Sequence, residues 1–149
     1  MRILVADDHD LVRETIAAFL SSQGDLEVAM AGSFGGAIEI VNEQGSFDLV
    51  LLDYNMPGMD GLQGLQKMIA ANDNRPVAIL SGSASPAFAE AAIRAGAAGY
   101  VPKTLAAKSM ISAARFMVAG EIFTPFEFMR QTHDRASDLL TDRELDVLR

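Results

Sequence analysis

Three short, uninterrupted apolar runs each end on polar groups. Ile3-Leu4-Val5-Ala6 runs into Asp7-Asp8, Leu49-Val50-Leu51-Leu52 into Asp53, and Val77-Ala78-Ile79-Leu80 into Ser81. Four apolar residues are too few for a stable helix, and an unbroken run suits a strand buried on both faces. Between these runs the apolar spacing changes to three and four, the period of a helix. Val12, Ile16 and Phe19 share one stripe, with Thr15 and Leu20 beside it. Phe34, Ala37, Ile38 and Val41 make a second stripe, and Leu62, Leu65, Met68 and Ile69 a third.

Two weaker strands, 26–31 and 99–101, complete the alternation. Stripes at Phe88, Ala91, Ala92, Ala95 and at Ala107, Met110, Ile111, Ala114, Met117, Val118 supply two more helices. Ser85-Pro86 reads as an N-cap followed by proline at the first helical position. Strands alternating with helices predict an α/β fold whose parallel sheet is covered on both faces. Right-handed crossovers favour a flavodoxin-like, doubly wound five-stranded sheet in the order 2-1-3-4-5.

In such sheets ligands bind beyond the carboxyl ends of the strands. Those ends carry Asp7, Asp8, Asp53, Ser81 and Lys103. An isolated acid at a strand end commonly caps the next helix, a role that suits Asp8 or Asp10. Three carboxylates brought together would repel, so the set predicts a cation site with a nucleophile in it.

Composition narrows the options. The chain has 149 residues, half of them hydrophobic, enough for one core. It contains no cysteine, which removes disulfide and thiolate-metal chemistry and fits a reducing, cytoplasmic setting. No apolar stretch approaches the roughly 18 residues of a membrane span. The net charge of −8 is spread along the chain without a Lys/Arg cluster. That argues against nucleic-acid contact by the residues present.

After Gly120 the pattern changes. Residues 121–138 read as a linker, partly helical around Phe126, Phe128 and Met129, with His133 in a charged neighbourhood. Residues 139–149 open with Thr141 and Glu144, the spacing of a capping box, followed by Leu145 and Leu148. The stop at Arg149, soon after this helix start, is expected to be a boundary rather than a natural end.

Several motifs together resemble the receiver domain of bacterial two-component response regulators over residues 1–120. They are Ala6-Asp7-Asp8-His9, Leu52-Asp53-Tyr54-Asn55-Met56-Pro57-Gly58-Met59-Asp60-Gly61, Leu80-Ser81 and Gly99-Tyr100-Val101-Pro102-Lys103. Ala95-Gly96-Ala97-Ala98-Gly99-Tyr100 resembles the NarL/FixJ branch. The segment 140–148 looks like the opening of that branch's LuxR-type helix-turn-helix domain, without a recognition helix.

The resemblance implies that Asp53 accepts a phosphoryl group from a histidine kinase, a carboxylate being a competent nucleophile toward phosphorus. It implies Mg²⁺ held directly by Asp8, Asp53 and the backbone carbonyl of Asn55, with Asp7 acting through a bound water. Lys103 would stabilise the phosphoryl oxygens, Ser81 would donate its hydroxyl to them, and Ser81 with Tyr100 would form the switch. His9 is not needed as a ligand. The protein would regulate transcription rather than turn over a substrate. It would pair as a homodimer when phosphorylated and reach DNA only through a helix-turn-helix domain that this chain does not complete. One departure stands out: many receivers carry proline after the lysine, whereas here Pro102 precedes Lys103 and Thr104 follows.

Other classes compete. A Mg²⁺-dependent phosphatase or phosphotransferase with an aspartyl intermediate would need a second acid and a substrate pocket or cap insertion. A flavin module would need a Ser/Thr/Gly-rich phosphate loop after the first strand, where Asp7-Asp8-His9 stands instead. A receiver working by protein contact alone would have no use for the complete set of acids, Ser81 and Lys103.

Overall fold

The computed structural model describes residues 1–82 and 85–124. The expected helical part of the linker and the expected helix-turn-helix segment lie outside the described residues. Ten elements alternate without exception: β1 (Arg2–Ala6), α1 (Asp10–Ser21), β2 (Glu27–Ala31), α2 (Phe34–Gln44), β3 (Leu49–Asp53), α3 (Leu62–Ala71), β4 (Val77–Ser81), α4 (Pro86–Arg94), β5 (Gly99–Pro102) and α5 (Ala107–Val118). The five strands pair in parallel in the order β2-β1-β3-β4-β5. This is the flavodoxin-like arrangement expected from the sequence.

Alternation along each strand divides the apolar side chains between two cores. Leu4, Val50, Leu52, Ile79 and Tyr100 face α2, α3 and α4 in one cluster. Ile3, Val5, Leu49, Leu51, Leu80 and Val101 face α1 and α5 in the other. Burial on both faces explains why β3 and β4 read as unbroken apolar runs, since all five residues of each are buried.

Two helix stripes sit differently from their sequence pattern. In α1 the buried residues are Ile16, Ala17 and Leu20, while Phe19 is 37% exposed. From Ile16 a step of four advances about 40° around the helix and a step of three recedes about 60°. The sheet lies on the advancing side, so Leu20 enters the core and Phe19 is left on the flank. In α4 Ala89 and Ala92 are buried, and Phe88 is only partly so. The small residues let α4 sit close to the sheet, and Phe88 becomes a side wall between Tyr54 and Tyr100.

The approach to β3 depends on a residue the apolar pattern passes over. Asn72, fully buried at the end of α3, accepts the Phe47 N–H at 2.7 Å and donates to the Phe47 carbonyl at 3.1 Å. One side-chain amide thus satisfies both backbone groups of a buried residue just upstream of β3. Replacing it orphans a buried donor and a buried acceptor. Asn72→Ala is therefore expected to cost about 2–3 kcal/mol, read as a lower urea midpoint at unchanged slope.

Candidate functional site

The turns after β1, β3 and β5 converge at the carboxyl end of the sheet. Asp53 is the last residue of β3 and Ser81 the last of β4, while Asp7 and Lys103 each lie one residue past their strands. Asp7 and Asp53 are fully buried, and Ser81 is nearly so. The Asp7 N–H donates to the Ala31 carbonyl at 3.0 Å, and the Lys103 N–H donates to the Ser81 carbonyl at 2.8 Å. Both residues are thereby held by continuations of the sheet ladder. Lys103 needs no following proline to be placed.

The turn after Asp53 is stiff. Met56 and Met59 point into the core at 3% and 1% exposure, pinning the loop from beneath. Gly58 and Gly61 take positive φ, a conformation that favours glycine. The Asn55 N–H donates to Asp53 Oδ1 at 3.2 Å.

Lys103 spans the two buried acids. Its Nζ lies 2.9 Å from Asp7 Oδ2 and 3.0 Å from Asp53 Oδ1. His9 also enters the cluster, its Nδ1 lying 3.0 Å from Asp7 Oδ1, 3.3 Å from Asp8 Oδ1 and 3.4 Å from Lys103 Nζ. His9, not needed as a ligand by the family resemblance, is nonetheless brought here because the short turn into α1 folds its ring back over Asp7. One ligand atom each from Asp7, Asp8, His9 and Asp53 fall within 4.8 Å of one another.

These contacts split the acids electrostatically. Burial pushes the Asp7 carboxyl up, but the His9 amide, the Lys103 ammonium and the His9 ring outweigh it and hold its pKa below the usual value. Burial also pushes Asp53 up, and there it wins. Lys103 and the Asn55 amide lower the Asp53 pKa only in part, and the neighbouring Asp8 and Asp7 raise it further. For Lys103, burial works to lower the pKa, but the two acids overcome it and raise it.

The donor set suits a divalent cation. Asp53 Oδ2 is buried without a hydrogen-bond partner, 3.9 Å from His9 Nδ1. A buried carboxylate oxygen with no donor is costly unless a cation serves it. The formal charges of Asp7, Asp8 and Asp53 against Lys103 leave two negative charges, the balance for one divalent ion. Hard carboxylate oxygens are ligands that Mg²⁺ favours.

Asp7, Asp8, Asp53, Ser81 and Lys103 lie together at this end of the sheet, and Asn55 meets Asp53 through its amide. Tyr100 is 1% exposed, so its ring is a core group with no wet face. It stacks edge-on against Phe88 at 5.6 Å, and Phe88 against Tyr54 at 4.1 Å.

The sequence model of the response regulator receiver domain matches residues 3–115. The chain belongs to that family. It is 30% identical to the response regulator GacA of Pseudomonas aeruginosa, over 99% of this chain and 73% of that protein. It is 32% identical to the nitrate/nitrite response regulator protein NarL of Escherichia coli K12, again over 99% and 73%. Its fold superposes with a TM-score of 0.74 on a LuxR family DNA-binding response regulator from Silicibacter pomeroyi. That match has 28% identity and covers 85% of this chain and 98% of the other. The chain is thus a two-component receiver of the NarL/FixJ, LuxR-family type. Among the described residues no helix is long and apolar enough to cross a membrane.

The raised Asp53 pKa sets the sign of a stability test. A carboxylate whose folded pKa exceeds its unfolded value lowers stability as pH rises through that window. Asp7, held below its usual value, acts oppositely, and its contribution is lost as pH falls. At neutral pH, in chelator, Asp53→Asn is expected to raise Tm by a few degrees, about 1 kcal/mol. Mg²⁺ should then stabilise the parent more than the variant. A lower Tm for Asp53→Asn in chelator would contradict this account.

Proposed function

We propose that Asp53 is the phosphoacceptor of this receiver, taking its phosphoryl group from a histidine of a partner kinase. The observation that carries this reading is the unpartnered Asp53 Oδ2 beside an Oδ1 already paired with Lys103. One oxygen is anchored, and the other is free to attack. The Asp53 oxygen forms the new bond to phosphorus as the donor's phosphorus–nitrogen bond breaks, its electron pair staying on nitrogen. The product is an acyl phosphate, and the kinase histidine leaves neutral once protonated.

The site's own groups serve this transfer by position and charge. Asp8, Asp53 and the Asn55 carbonyl would hold Mg²⁺, with Asp7 contributing through a bound water. When bound, that ion neutralises the charge on the transferring phosphoryl group. Lys103 already stands 3.0 Å from Asp53, so it can turn its charge from a carboxylate to a phosphoryl oxygen without leaving the site. Ser81, at the adjacent strand end, would donate its hydroxyl to the same group. Its movement would free space toward Tyr100, which lies on β5 in register with Ile79, two residues before Ser81 on β4. In this reading the chain promotes only its own phosphorylation and dephosphorylation. It acts in the cytoplasm, pairs with a second copy when phosphorylated, and regulates transcription through a helix-turn-helix domain.

Intact mass after exposure to a small phosphodonor and Mg²⁺ tests the assignment. One phosphate is expected on the parent, none on Asp53→Asn, and none on either in chelator. Phosphate on Asp53→Asn to the same extent as on the parent would move the acceptor elsewhere. Sustained turnover of simple phosphate esters would favour a phosphatase instead.

A further inference from the structure

Asp8 is the acid of this cluster that the fold holds least directly. Its side chain is 33% exposed and meets the His9 ring, itself 61% exposed, and the Asp53 carboxylate, a like charge that gives it no attractive hold. Its direction is therefore set by the backbone, through the peptide that joins it to Asp7. That peptide is gripped from α1. The Arg13 Nη1 donates to the Asp7 carbonyl at 2.9 Å, while Nη2 donates to Asp10 Oδ1 at 2.8 Å. The Arg13 side chain is only 16% exposed, although Asp10 is 82% exposed.

We propose that Arg13 is a positioning residue for the cation site, fixing the Asp7–Asp8 peptide so that the Asp8 carboxylate faces Asp53. The inference rests on reading the acidic cluster as a Mg²⁺ site. The Asp7 N–H, in the preceding peptide, is bound to Ala31, and the guanidinium holds the carbonyl of the following one, so the peptides on both sides of Asp7 are fixed. Rotation of the Asp7–Asp8 peptide plane would swing Asp8 away from the cluster and would leave a buried carbonyl without a partner. Arginine suits the task because its planar fork can serve a carbonyl and a carboxylate at once. Asp10 offsets the added positive charge, which would otherwise oppose a cation nearby.

Gly32, just after β2, belongs to the same device. A Cβ there would stand 3.2 Å from Arg13 Nη1, tighter than an ordinary contact. A methyl there would make the guanidinium give by a few tenths of an ångström, loosening its hold on the Asp7 carbonyl. Gly32 therefore keeps the clamp seated without touching the acids.

The test separates positioning from plain structural support. Mg²⁺ is titrated into the full chain without phosphodonor, following amide shifts. Initial phosphorylation rates are then measured against Mg²⁺ concentration, and Tm in chelator. For Arg13→Ala the Mg²⁺ Kd and the half-saturating Mg²⁺ should both rise about tenfold, the scale of one lost charge-assisted hydrogen bond. The rate at saturating Mg²⁺ should stay within about twofold of the parent. Arg13→Lys keeps the charge but not the fork and should not restore the affinity, even where it restores Tm. Gly32→Ala should weaken Mg²⁺ binding in the same direction by a smaller factor. Parent-like Mg²⁺ affinity in Arg13→Ala, or full recovery by Arg13→Lys, would overturn the proposal. A parent that binds no Mg²⁺ would instead overturn the reading of the cluster on which it rests.

Discussion

Lys103 stands between two fully buried carboxylates, and the arrangement of the carboxyl end of the sheet follows from that. At about 3 Å and an effective dielectric near 20, each ammonium–carboxylate pair attracts by about 5 kcal/mol. Withdrawing the charges from water costs several kcal/mol per ion, so the net gain is small. The triad is therefore held less by its own attraction than by the strands that carry it. One ammonium cannot serve every carboxylate oxygen, and Asp53, with an unpartnered oxygen, carries that cost.

The scaffold can bear this strain because its strands end together. Parallel pairing sets Ala6 beside Leu52 and Asp53 beside Leu80, so the residues beyond each strand share one rim. Buried Met56 and Met59 beneath the following turn, and Asn72 at the entrance to β3, stiffen the element carrying Asp53. On the far side, Tyr54, Phe88 and Tyr100 form a run of edge-on rings from the Asp53 turn through α4 to β5. Close-packed aromatic contacts of this kind pass on displacement because they leave no room to absorb it.

Much of this was legible in the chain itself. The unbroken runs of β3 and β4 announced strands covered on both faces, and the acids that end β1 and β3 announced the rim. Legibility failed where the deciding contact crossed the sequence. Phe19 has the spacing of a core residue, yet the sheet lies on the other side of its helix. Nothing in the sequence places Phe88 of α4 against Tyr100. Asn72 and Arg13 carry no periodic signal, because the backbone groups of Phe47 and Asp7 that they hold are brought to them only by the folded chain.

The sequence by itself determined the order of elements and which residue types end each strand, since both follow from local periodicity and turn chemistry. Tertiary structure alone decided how the charges are shared. Lys103 could pair with two acids only once β5 lay beside β4 and β1 beside β3. Burial is a property of that assembly, and it is what raises Asp53 while Asp7, with better donors, stays low.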